Sequence, residues 1–153
     1  MKRSIVFTIY IVLLHVSLQA QCVKDFYNKY GKDDRFVTLS VGKGAMNMVR
    51  IFSGENGEIL SQITQVQILA YDSDIDGDTQ QKDFLNDFNQ LIVNENFEQL
   101  LNLRKQDVYT AIFYNEKLTD VLLLQTEGDK ESCLIWLKGQ FLLETLPELV
   151  VNF

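Results

Sequence analysis

Residues 97–138 read FEQLLNLRKQDVYTAIFYNEKLTDVLLLQTEGDKESCLIWLK. Four runs in this stretch, Phe97 to Lys105, Val108 to Tyr114, Leu118 to Thr126 and Ser132 to Lys138, follow a period of two. That pattern predicts four successive strands. Asn115-Glu116-Lys117 and Glu127-Gly128-Asp129-Lys130 supply hairpin connections between them. Strands joined this closely pair with their sequence neighbours, so the stretch reads as an antiparallel meander. Leu122 to Leu124 and Leu134 to Leu137 are apolar at consecutive positions. Part of the second face of the sheet must therefore be covered, or be sticky.

Upstream, the period changes. Phe84, Leu85, Phe88, Leu91 and Ile92 form one apolar stripe on a helix from Gln81 to Val93. Gln62 to Tyr71 alternates, with Val66, Ile68 and Ala70 on one side and Gln65 and Gln67 on the other, which predicts a half-buried strand. Gly54-Glu55-Asn56-Gly57 is a turn, and Ala45 to Phe52 has helical spacing after Gly42 and Gly44. Phe36 to Val41 reads as a strand. Val23, Phe26, Tyr27 and Tyr30 mark a short helix that stops at Gly31. A last helix is expected from Leu142 to Leu149. This is an α+β plan: a single mostly antiparallel sheet of five or six strands, including the C-terminal four-strand meander, with helices packed on one face.

The first twenty residues have a different character. Lys2 and Arg3 precede a mostly apolar run from Ser4 to Leu18, and Ala20 offers a small residue for cleavage. This is the layout of a secretory signal peptide, which leaves residues 21–153 as a single exported domain and places it in the periplasm or outside the cell. The run is shorter than the roughly 20 apolar residues that a spanning helix needs, so no transmembrane helix is expected in the mature chain. A lipid anchor on Cys22 is disfavoured, because Gln21 stands where a small residue is wanted. Cys22 and Cys133 are the only cysteines. An oxidising compartment permits a bridge between them, but the preferred reading is two unbridged thiols, with Cys133 a small core residue.

The aromatic first helix, the segment Phe36 to Gly44, the strand Val66 to Tyr71 and the meander with its leucine-rich end together resemble the domain of unknown function family 4252. The resemblance spans essentially the whole mature chain. It implies a small exported or lipoprotein-like protein of Bacteroidetes-type bacteria. It brings no reaction with it.

Composition excludes a good deal. The chain has 21 acids and 14 bases, a net charge of −7, and loss of Lys2 and Arg3 with the signal leaves a net of −9. Such a surface repels phosphate backbones, so no nucleic acid partner is expected. The one histidine, His15, lies in the signal. The mature domain therefore has no Ser-His-Asp triad, no Cys-His pair and no histidine-based zinc site. Val37 stands where a phosphate loop before Gly42-Lys43 would need glycine.

One stretch carries ligand chemistry. Asp72-Ser73-Asp74-Ile75-Asp76-Gly77 places carboxylates at alternate positions with a glycine at the sixth, the first half of a calcium loop. Asp78 and Asp83 complete the candidate metal set Asp72, Asp74, Asp76, Asp78 and Asp83. Asp83 occupies the twelfth position, where a longer glutamate is usual. The competing reading is a solvated acidic turn in which Asp78 or Thr79 caps the following helix, and it is preferred. Calcium is thus a possible ligand and no other cofactor is expected. Tyr109, Phe113 and Trp136 read as core aromatics before they read as a binding platform. The leading functional expectation is a non-enzymatic module that binds a protein or cell-envelope component. The alternatives are a periplasmic carboxylate-based hydrolase and a calcium-stabilised binding module.

Overall fold

The computed structural model describes residues 22–46, 61–72, 80–142 and 144. Helix α1 covers residues 22–30. Strand β1 (Phe36–Val41) and strand β2 (Ile63–Asp72) follow, then helix α2 (Gln80–Asn94). The meander consists of β3 (Glu98–Lys105), β4 (Val108–Asn115), β5 (Asp120–Glu127) and β6 (Glu131–Gly139). Residues 43–46 are also helical. The expected helix from Ala45 to Phe52 lies beyond Met46 outside the described residues. So do the turn at 54–57 and nearly all of the last expected helix.

All six strands form one sheet in the order β1-β2-β6-β5-β4-β3, and every pairing is antiparallel. The meander runs as the alternation predicted, and the β1–β2 pair adds to its β6 side. Hairpin geometry fixes the register. Gly128 takes the left-handed conformation between β5 and β6 at φ 54°, where glycine has no Cβ to clash. Gln106 and Thr119 adopt the same conformation in the other two hairpins without a glycine to announce it.

One face of the sheet packs against both helices. Leu69, Tyr71, Leu122, Leu134 and Trp136 meet Phe26 and Tyr30 of α1 and Phe84 and Phe88 of α2. Phe84 is wholly buried, with its ring 5.0–5.4 Å from those of Phe26, Tyr30 and Phe36. Edge-to-face and tilted contacts of this kind suit the ring quadrupoles. Phe113 and Trp136 are buried in this cluster and Tyr109 packs against it, so the core reading of these aromatics holds. Tyr30 Oη donates to Asp87 Oδ2 at 2.6 Å, and Lys29 pairs with the same carboxylate. The Lys29 ammonium, with Tyr30 second, holds the Asp87 carboxyl below its usual range.

The opposite face is covered as well. Ile112, Val121, Leu123 and Leu137 are buried there with Met46 and Ile63. This explains why Leu122 to Leu124 and Leu134 to Leu137 have no polar alternation: both sides of β5 and β6 are interior. Gly139 lies where β6 meets the start of β2. A Cβ there would collide with the backbone oxygen of Gln62 and stand 2.8 Å from its carbonyl carbon, so only glycine allows this approach.

Helix α2 ends in a Schellman motif. Asn96 is left-handed at φ 56°, Phe97 N–H donates to Ile92 O at 3.0 Å, and Asn96 N–H donates to Val93 O at 3.2 Å. Its other end is pinned by Gln81, whose Nε2 donates to Ser132 Oγ at 2.9 Å and Glu131 O at 3.1 Å. Helix α2 is thereby fixed across the sheet, and its C-terminus delivers Glu95 to the end of β4.

Candidate functional site

Asn115, Asp120 and Lys138 lie side by side across β4, β5 and β6. The period of two decides which way they point. Leu122 and Leu124 belong to the helix-covered cluster, so Asp120 shares their face, as Lys138 shares that of Trp136. Lys138 Nζ sits 4.4 Å from the centre of the Trp136 ring, a cation–π distance. The Tyr27 ring lies 5.2 Å from the same indole, and its hydroxyl donates to Leu134 O at 3.1 Å. Asp120 is only 2% exposed. Burial pushes its pKa up to about 6, opposed by the Lys138 ammonium and the nearby Trp136 N–H. The indole N–H does not reach hydrogen-bonding geometry, and among the described residues both Trp136 Nε1 and Asp120 Oδ1 lack partners.

A second buried carboxylate borders the same row. Asn115 Nδ2 donates to the backbone oxygen of Glu95, at the capped end of α2. Glu95 is itself buried, and its Oε2 has no partner. The Glu95 carboxylate, ahead of burial, raises the Cys22 thiol pKa above its usual value. A raised pKa leaves less thiolate and a weaker nucleophile. A cavity of about 280 Å³ opens at this end, lined by Glu95, Asn96, Glu98, Tyr114, Asn115 and Lys117 among others. The arrangement can hold and release a proton near neutral pH at Asp120. A substrate would reach that carboxyl only if the sheet end opened.

A different kind of feature occupies the far side of the sheet. Strand β1 is an edge strand, and its sequence FVTLSV has no charge and no proline. Val37 is 70% exposed and Leu39 54% exposed, both on the face opposite α1 and α2. The other edge, β3, carries Glu98, Arg104 and Lys105 and a register irregularity between Gln99 and Leu101. Charges and bulges protect an edge from further pairing. By that measure, among the described residues, β3 is guarded and β1 is open.

The acidic stretch is only partly described. Asp72 ends β2 opposite Glu131, and Asp83 lies exposed in the first turn of α2. Asp74, Asp76 and Asp78 lie outside the described residues. Among the described residues no group of three or more acids and cysteines could hold a metal ion. Cys22 and Cys133 are both free. Cys22 sits on α1 and Cys133 packs on the opposite face, so the sheet lies between them. Sequence reasoning missed Asp120 and Glu95. Asp120 was detectable in principle, because it stands two residues before Leu122 and four before Leu124, on the face that the helices cover. Glu95 was not, since its position depends on how α2 ends.

Residues 27–149 match a family model described as Domain of unknown function (DUF4252). The chain belongs to the DUF4252 family. The matched span holds all six strands, Glu95, Asn115 and Asp120, while Cys22 lies before it. No curated protein and no solved structure matches this DUF4252 chain. Among the described residues, no helix is long and apolar enough to cross a membrane.

Proposed function

We infer that this protein is an exported, non-catalytic domain that binds a protein or envelope component through the β1 edge. The basic-apolar-small layout of Met1 to Ala20 supports a periplasmic or secreted location. The observation that carries the binding reading is the uncharged edge strand with Val37 and Leu39 exposed. An edge of this kind recognises another strand: main-chain hydrogen bonds supply affinity, and alternate side chains supply selectivity. The alternative is a carboxylate-based hydrolase, favoured by one observation, the pair of buried acids Glu95 and Asp120 with an unpartnered oxygen each.

The two readings separate in one experiment. The immobilised protein is exposed to envelope extract, beside Leu39→Lys and Asp120→Asn. Under the binding reading, Leu39→Lys loses at least nine-tenths of the specifically bound protein and Asp120→Asn keeps it. Unchanged capture by Leu39→Lys would refute the β1 edge as the contact element.

A further inference from the structure

The geometry points to a second copy of this chain as the occupant of the β1 edge, joined by antiparallel β1–β1 pairing into a twelve-stranded sheet. This rests on the reading of β1 as the contact element and names its partner.

An edge strand that meets its own copy about a twofold axis makes an isologous contact. Opposite residues in an antiparallel pair point to the same face, so only registers that pair odd with odd and even with even keep both sheets in phase. Two such registers use most of β1. One centres on Thr38 and the other on Leu39.

The Thr38-centred register places Val37 of each copy opposite Leu39 of the other. The two most exposed apolar residues of the strand would then cover each other twice, and Phe36 would oppose Ser40. Cross-strand apolar pairs of this type stabilise a sheet. Just past the strand ends, Lys43 of each copy falls beside Asp33 and Asp34 of the other. Lys43 and Asp34 are exposed, and Asp33 keeps its Arg35 contact at 2.7 Å. The Leu39-centred register instead sets Lys43 against Arg35, like charge against like. The flanking charges therefore select the Thr38-centred arrangement. Each copy without its signal carries a net charge of −9, but at physiological salt this repulsion is screened beyond about 8 Å. Groups at the contact decide the outcome.

Residues 37–40 are all exposed at this edge. On the β3 edge a Leu101-centred register would set Glu98 against Arg104, but the irregularity between Gln99 and Leu101 breaks the strand within that register. The choice of a copy over a foreign strand rests on this match: the same six residues supply both apolar rows, and the segments just before and just after the same strand supply the acids and the lysine.

The test combines mass and cross-linking on the purified protein. Sedimentation should show a dimer that Leu39→Lys converts to monomer, with a dimer dissociation constant at least tenfold higher. The variant should keep the parent circular dichroism spectrum, since the side chain is exposed. In a Cys22→Ser/Cys133→Ala background, Thr38→Cys should oxidise to a covalent dimer and Leu39→Cys should not. A protein that stays monomeric up to high concentration overturns the proposal. So does a dimer that ignores Leu39→Lys, or one that cross-links through Leu39→Cys instead. If the protein is monomeric while Leu39→Lys still abolishes capture of an envelope protein, self-pairing falls and the edge reading stands. If Leu39→Lys changes neither mass nor capture, both fall.

Discussion

Replacing Phe84 by alanine is expected to cost about 3–5 kcal/mol, the range for removing a large buried aromatic. Phe84 is wholly buried and touches three aromatic rings from two other elements, α1 and the start of β1. Its loss would leave a cavity where helix, helix and sheet meet, and the rings around it are too rigid to fill the space. A domain of this size commonly holds only about 5–15 kcal/mol in all, so the variant should lose a large share of its stability. Val93→Ala on the same helix is the control, because Val93 is exposed and should move stability by no more than about 0.5 kcal/mol. Urea unfolding of both measures the difference. Equal midpoints would show that the helices do not rest on this aromatic cluster.

Asp120→Asn should stabilise the protein, and only above the acid range. The folded state raises this carboxyl from 3.8 to about 6, so the native state binds the proton more tightly than the unfolded chain. Stability then falls as pH rises between those two values, and the loss is complete above about pH 6. One pKa unit corresponds to about 1.36 kcal/mol. The buried charge therefore costs on the order of 2–3 kcal/mol at pH 8 and almost nothing at pH 4. Asparagine keeps the shape and removes the charge. Unfolding curves of parent and variant should coincide near pH 4 and separate by about 2 kcal/mol at pH 8, with the variant higher. A constant gap across that range would mean that Asp120 does not titrate as its burial implies.

Much of the fold is legible in the residues, and the reasons are local. The meander shows in its alternation, and α2 in its apolar stripe, to within a residue or two at each end. The sequence bounds of β1 are the observed ones, because Arg35 and Gly42 bracket six residues of strand character. Periodicity alone starts β5 two residues early, at Leu118, where the strand begins at Asp120. Asn115 Oδ1 accepts the Leu118 N–H at 3.1 Å and holds that residue in the turn, a side-chain contact that periodicity does not register. The site was harder to see. Asp120 belongs to an ordinary hairpin until β6 brings Trp136 and Lys138 beside it. Glu95 depends on the left-handed Asn96. The open edge shows no motif at all, since an uncharged strand becomes an edge only when the sheet order is known.

The insertion of β6 between β5 and β2 also sets an order of events in time. Strands β3 to β6 are joined by connections of two to four residues, whereas Asp72 meets Glu131 and Ile63 meets Gly139 across roughly sixty to seventy-six positions of chain. Closing the longer span costs more entropy, growing with the logarithm of its length, and non-local pairings of this kind form late. The meander should therefore assemble first, and the β1–β2 pair should dock afterwards along β6. Alanine substitution at Leu69 in β2 should mainly accelerate unfolding, while Leu123→Ala in β5 should slow folding. A Leu69 variant that slows folding as much as the Leu123 variant would reverse that order. Until β2 arrives, the newly made hairpins present β6, apolar on both faces, as a bare margin. The interval before docking is thus when the chain is most prone to aggregate.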